Sequence, residues 1–192
     1  MQNRGSVVLG VIWELVEAFV FALAIFVVVY WFLAQPNQVK GLSMEPTFHD
    51  GELILTDKFT YQRSRKPERG EVIILKDPNT PDRDFIKRVI ALPGDVVKIS
   101  QGKVFVNGKQ LDESNYLDSR VYTNEESFLR EGQSYTVPQD KYFVLGDNRQ
   151  HSSDSRDFGP ITTEELIGRV IFRYWPITRT GIVSKALYPQ TL

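Results

Sequence analysis

A chain of 192 residues has room for one domain and an anchoring segment. Its formal net charge of -1 at pH 7 supplies no basic surface for a nucleic-acid partner. The absence of cysteine removes disulfides, thiol nucleophiles and thiolate zinc sites, and the two histidines, His49 and His151, lack HExxH spacing, which argues against a metalloenzyme.

In chain order, residues 1–14 read as a short tail and residues 15–34 (LVEAFVFALAIFVVVYWFLA) as a transmembrane helix. A run of about 20 residues makes roughly 30 Å of helix, the thickness of a bilayer core. Glu17 is its only charge, and Trp13, Tyr30 and Trp31 flank it as interfacial aromatics. A buried helix of a soluble fold would carry a polar stripe, and none follows Glu17. A cleaved leader would have a shorter apolar core, roughly 7–15 residues, and a small-x-small site; here Phe32 stands two positions before Ala34. Pro36 is expected to stop the helix. Arg4 before the span and Lys40 after it do not decide its orientation, and the reading adopted puts the rest of the chain on the extracytoplasmic face of the cell membrane.

Residues 37–192 read as one mainly β, antiparallel domain, with a hairpin and variable insertion at 101–140. Strands are predicted at 52–56, 71–75, 84–92 and 96–100, each bounded by Gly, Pro or Asp turn signals. Between them, 61–70 is basic and polar and reads as a solvated loop. Asn107-Gly108 marks a type I′ turn in a hairpin over 103–111. Residues 112–133 are polar, acidic and aperiodic, and read as an irregular insertion. Short strands at 134–137 and 141–145 follow. Thr162 and Glu165 form a capping-box pattern opening a short helix ended by Gly168, before a last strand at 169–175.

Three stretches could carry chemistry. In GLSMEPT (41–47), Gly41 allows close backbone approach and Pro46 stiffens the exit, so Ser43 could be aimed outward with its own N–H free for an oxyanion. A serine nucleophile needs a base. His49 or His151 could serve, with Asp50, Asp147 or Asp154 as orienter. Lys87 is the other option: alternation puts it on one strand face with Phe85 and Val89, opposite Ile86, Arg88 and Ile90, and burial there would lower its pKa. The bland alternative is an edge-strand lysine reaching water. The third stretch, GDNRQHSSDSR (146–156), is either a polar surface loop or one that fixes catalytic groups, with Asp154 and Arg156 paired and a serine hydroxyl holding the base.

SMEPT (43–47), RGEVIIL (69–75), FIKRVIALPGD (85–95), GDNRQHSSDSRDFGPI (146–161) and GRVIFRYWP (168–176), in that order after an apolar span, resemble the bacterial type I signal peptidases. These are membrane-anchored serine proteases of mostly β fold, using a Ser-Lys dyad without metal or cofactor. The resemblance implies Ser43 as nucleophile, Lys87 as general base and Ser152 as the serine that orients the lysine. It implies Asp154 and Arg156, with Asp147 and Asn148 beside them, as shapers of the active-site loop, and Met44 as a residue lining the substrate pocket. It implies the lipid bilayer as a partner, and as substrates exported preproteins with small residues at the first and third positions before the cut. Where Gly41 stands, many relatives have a serine that donates to the oxyanion; here the hole would rest on the Ser43 N–H. Gln150 and His151 replace the commoner Asp and Asn. The rival from another class is an anchored β-domain that binds exported chains without cutting them.

Overall fold

The apolar N-terminal run forms one helix, α1 (Arg4–Val28). In this computed structural model, residues 4–28, 34–63, 65–80 and 82–188 are described. Residues Val8–Val27 have a mean hydropathy of 2.2, and none of the span is buried against the rest of the chain. A helix apolar on all sides and uncovered by protein has the surface of a bilayer-crossing segment.

Its limits differ from the 15–34 expectation. The helix already includes most of the expected tail, because residues 7–13 are apolar apart from Gly10, so Glu14 and Glu17 lie inside it. At the other end, Ala34 belongs to strand β1 (Ala34–Gln38), paired antiparallel with β2 (Leu53–Asp57). The end of the expected span, with Tyr30 and Trp31, lies outside the described residues. Pro36 sits in β1 at the edge of the sheet, where a missing N–H costs no ladder bond.

Next come α2 (Phe59–Arg63), β3 (Val72–Lys76), β4 (Asp84–Ala91), β5 (Val96–Ser100), β6 (Lys103–Val106), β7 (Lys109–Gln110), β8 (Ser134–Thr136) and β9 (Lys141–Leu145). The chain ends with α3 (Ser155–Phe158), β10 (Ile161–Thr162), β11 (Leu166–Trp175) and β12 (Gly181–Ile182). Two sheets result. One runs β1-β2-β11-β3-β4-β9-β10, with β12 paired to β11; the other runs β7-β6-β5-β8. All pairs are antiparallel. Asn107 and Gly108 both have positive φ between β6 and β7, as the Asn-Gly pair predicts.

Strand β4 sorts the core. Phe85 and Val89 join Ile73, Leu75, Tyr142, Val144 and Ile161 on one side. Ile86 joins Met44, Ile54, Val72, Ile74 and Val170 on the other. A register shift between Val89 and Ala91 lets Ile90 and Ala91 together enter a third cluster, with β5, β6 and β9.

Two local expectations fail for tertiary reasons. The capping box at Thr162 and Glu165 forms, but it caps a single 3₁₀ turn, and β11 starts at Leu166. Leu166 pairs with Leu75 and Gly168 with Ile74, so sheet pairing overrides the local helix signal. The basic 61–70 stretch is not a simple solvated loop. Its first part lies in α2, and Glu71, 2% exposed, gathers Tyr61 (2.7 Å), Arg65 (2.7 Å) and Arg169 (3.3 Å).

Candidate active site

The turn from β1 to β2 carries Ser43, and its conformation is pinned from several sides. Gly41 has φ +86, a region that a side-chain-bearing residue enters only with strain, and its N–H donates to Asp50 Oδ1 at 2.7 Å. The Gly41 amide is therefore occupied. Ser43 N–H makes no hydrogen bond to the described residues. From β11 and the turn after it, Arg173 donates to Thr47 O (2.8 Å) and Glu52 (3.0 Å), and Arg179 also binds Glu52 (2.5 Å). Sequence reasoning passed over these two arginines; a glutamate 3% exposed at position 52 has to find cationic partners somewhere.

Ser43 is half-buried and faces a groove of about 920 Å³ lined by β1 and by Leu42, Ile54, Ile74, Phe85, Ile86 and Lys87. Met44 does not line it. Its side chain is fully buried among Val39, Phe48, Ile54 and Ile74. Met44 backs the groove wall, and Leu42, 51% exposed, is the neighbour that reaches the groove.

Lys87 is 2% exposed, faces Ile73 across the β3–β4 ladder and holds Nζ 4.8 Å from the Phe85 ring centroid. Nζ lies 3.0 Å from Ser43 Oγ. Burial lowers the Lys87 pKa to about 8; Asp154 pulls it back up and Arg156 pushes it further down. An amine of that pKa is neutral in a substantial fraction near pH 8 and can accept the serine proton. His49 and His151 are exposed, and neither side chain bonds to Ser43.

The loop after β9 closes the site. Asn148 N–H donates to Ser43 O at 3.0 Å. Asp147, 1% exposed, accepts from Arg88 Nε (2.9 Å) and Nη2 (2.7 Å) and from Thr47 Oγ1 (2.5 Å), joining the nucleophile turn to the strand carrying Lys87. Asp154 and Arg156, each 0% exposed, form a two-point ion pair with both contacts at 2.8 Å. Asp154 also accepts the Gly146 N–H at 3.0 Å. Ser152 does not hydrogen-bond Lys87: its buried Oγ has no hydrogen-bond partner among the described residues. It packs on Gly146, where an added Cβ would lie 2.1 Å from Ser152 Oγ and 2.5 Å from Ser43 O. Gly146→Ala is therefore expected to displace the loop and lower kcat/KM at least about tenfold, measurable on a purified preprotein, with a smaller loss in melting temperature.

The irregular residues 112–133 hold this loop from behind. Arg149, buried, binds Glu113 (2.5 Å and 3.1 Å) and Thr123 (2.8 Å). Arg156 donates to Asn124 O at 3.0 Å and accepts the Phe128 and Leu129 N–H groups through its own carbonyl. Among the described residues no group of three or more His, Cys, Asp or Glu could hold a metal ion.

Comparison with known proteins follows the same outline. The signal peptidase, peptidase S26 family matches residues 12–175. A probable signal peptidase I-2 of Synechocystis sp. is 40% identical over 177 residues, covering 89% of this chain and 77% of that protein. Signal peptidase IB of Staphylococcus aureus is 35% identical over 176 residues, covering 86% and 90% respectively. A signal peptidase I crystal structure from Enterococcus faecalis is 29% identical, with a TM-score of 0.43 over 55% of this chain and 97% of that one. On the family match, which takes in the helix from residue 12 onward, the serine turn, the lysine strand and the closing loop, the chain belongs to the signal peptidase family, peptidase S26.

Proposed function

We propose that Ser43 and Lys87 are the nucleophile and general base of this signal peptidase, which removes signal peptides from exported proteins. The observation that carries the assignment is the 3.0 Å contact between Ser43 Oγ and a buried amine of lowered pKa. Neutral Lys87 takes the Ser43 proton as Oγ attacks the scissile carbonyl. The oxyanion forms against the Ser43 N–H. The ammonium of Lys87 then gives its proton to the departing amine, leaving an acyl-enzyme. Lys87, neutral again, takes a proton from water as that water attacks the acyl carbonyl; the acyl bond to Oγ breaks, the signal peptide leaves, and the Lys87 ammonium gives the proton to Oγ, restoring the Ser43 hydroxyl and the neutral amine. Ser152, buried and unpartnered beside Gly146, is the group available to accept a Lys87 N–H once Nζ leaves Ser43.

Small residues at the first and third positions before the cut suit a groove whose lining brings Leu42, Phe85 and Ile86 together with Ser43. Residues of β1, the strand after the anchor, line this groove, so an apolar segment emerging from a bilayer would enter there. The catalytic domain would then stand on the extracytoplasmic face, against the lipid surface from which its substrates emerge. Purified enzyme in detergent micelles tests the dyad directly. Ser43→Ala is expected to abolish preprotein cleavage, while His49→Ala and His151→Ala retain it. Loss of cleavage in a histidine variant with full activity in Ser43→Ala would replace this reading with another base and another nucleophile.

A further inference from the structure

A second groove borders the same turn as the first. Leu42 and Ser43 line the first; Glu45 and Pro46 line the other, which has a volume of about 540 Å³ and runs between residues 148–150 and 118–122. The turn of residues 41–46 thus borders both, and the Asn148 amide of the second groove binds Ser43 O. A polypeptide cut at Ser43 has to enter on one side of the serine and leave on the other. The first groove follows the anchor and is floored by Ile54, Ile74 and Ile86. The second has a mixed lining of charged side chains with Pro46, Val121 and Tyr122, the last 49% exposed.

The charges of the second groove are unequal. Asp118 and Arg120 bind each other at 2.9 Å. Asp147 is paired with Arg88 and Arg149 with Glu113, and all but Glu113 are nearly or wholly buried. Glu45 is half-buried, and its carboxylate has no ion pair or hydrogen bond among the described residues. One uncompensated negative charge thus faces the groove, two residues after the nucleophile.

We infer that this groove takes the first residues of the mature protein and that Glu45 makes it a charge filter, favouring basic and disfavouring acidic side chains early in the mature chain. The inference rests on Ser43 as the nucleophile. A released mature amino terminus, itself a cation below its pKa of about 8, would meet the same carboxylate.

The test is a set of preproteins, identical except for Lys, Gln or Asp at each of the first five mature positions, cut by wild type, Glu45→Gln and Glu45→Lys in detergent. Reading a ratio within each enzyme cancels any general loss of activity. Wild type is expected to prefer Lys over Asp about fivefold in kcat/KM at one or two of these positions at low salt, the scale of a partly exposed charge pair, and less at high salt. Glu45→Gln should bring the ratio toward one, and Glu45→Lys should invert it. An unchanged ratio in Glu45→Gln, or a wild-type ratio indifferent to charge and salt at all five positions, overturns the inference. Ser43→Ala run alongside separates the two readings: cleavage by that variant would sink the nucleophile assignment, whereas inactivity with unchanged charge ratios in the Glu45 variants would sink only the filter.

Discussion

Lys87→Met is expected to make an enzyme that is more stable than wild type at neutral pH and at least about 10³-fold slower in kcat/KM. The two effects have one cause. Lys87 is 2% exposed, and burial brings its pKa from 10.5 to about 8. In the unfolded chain the lysine keeps its ordinary pKa, so between pH 8 and 10.5 the unfolded state binds a proton that the folded state does not. Stability therefore rises with pH through that window, and below it the folded state carries a penalty of roughly 3 kcal/mol. Methionine fits a similar volume with nothing to desolvate, so the penalty disappears along with the base. Denaturant titration at pH 7 and at pH 10 measures both halves: the gain of Lys87→Met over wild type should be large at pH 7 and shrink by pH 10. A variant no more stable than wild type at pH 7 would mean that the amine is solvated in solution, which would remove the reason for its activation.

The second large effect is structural in origin and catalytic in outcome. Asp154→Ala leaves Arg156 charged, 0% exposed and stripped of its two 2.8 Å contacts. Removing one partner of such a pair costs about 3–5 kcal/mol, because the remaining ion stays buried without compensation. For a chain of this size that corresponds to roughly 10 °C in melting temperature. The same carboxylate accepts the Gly146 N–H and raises the Lys87 pKa. Asp154→Asn keeps the side chain's size and removes its charge, so its remaining activity should show an alkaline-favoured limb displaced to lower pH than in wild type. The melting curve and the pH profile together separate loss of the loop from loss of the charge; a variant with wild-type stability would show that Arg156 finds another anion.

Much of this site was legible because its parts obey short-range rules. Strand alternation puts Lys87 on a face with Phe85 and Val89, and that face is buried. The Asn107-Gly108 turn, the strands over 71–75 and 141–145, and the pairing of Asp154 with Arg156 two residues away all follow from local spacing. What was hidden depends on distant partners or on the hand of a turn. The family resemblance implies Met44 as a pocket residue, yet its side chain lies in the core with Val39, Phe48 and Ile54. Nothing near Arg149 announces that Glu113 will neutralise it, nor that an aperiodic 112–133 segment will brace the loop. β1 was obscured by Pro36, a residue that only an edge position tolerates within a strand. Ser152 is the residue where family resemblance and geometry stand furthest apart: the hydroxyl that the resemblance assigns to orient the lysine is buried with no hydrogen bond among the described residues.

The pH dependence of kcat/KM, measured with a purified preprotein from pH 6 to 10, bears on the dyad more directly than any single substitution. With Lys87 as base, kcat/KM should rise about tenfold per pH unit below a limb near pH 8 and level off above it. A profile already flat from pH 6 upward, or one rising only toward the ordinary lysine range above pH 10, would contradict a buried neutral Lys87 as the group that activates Ser43.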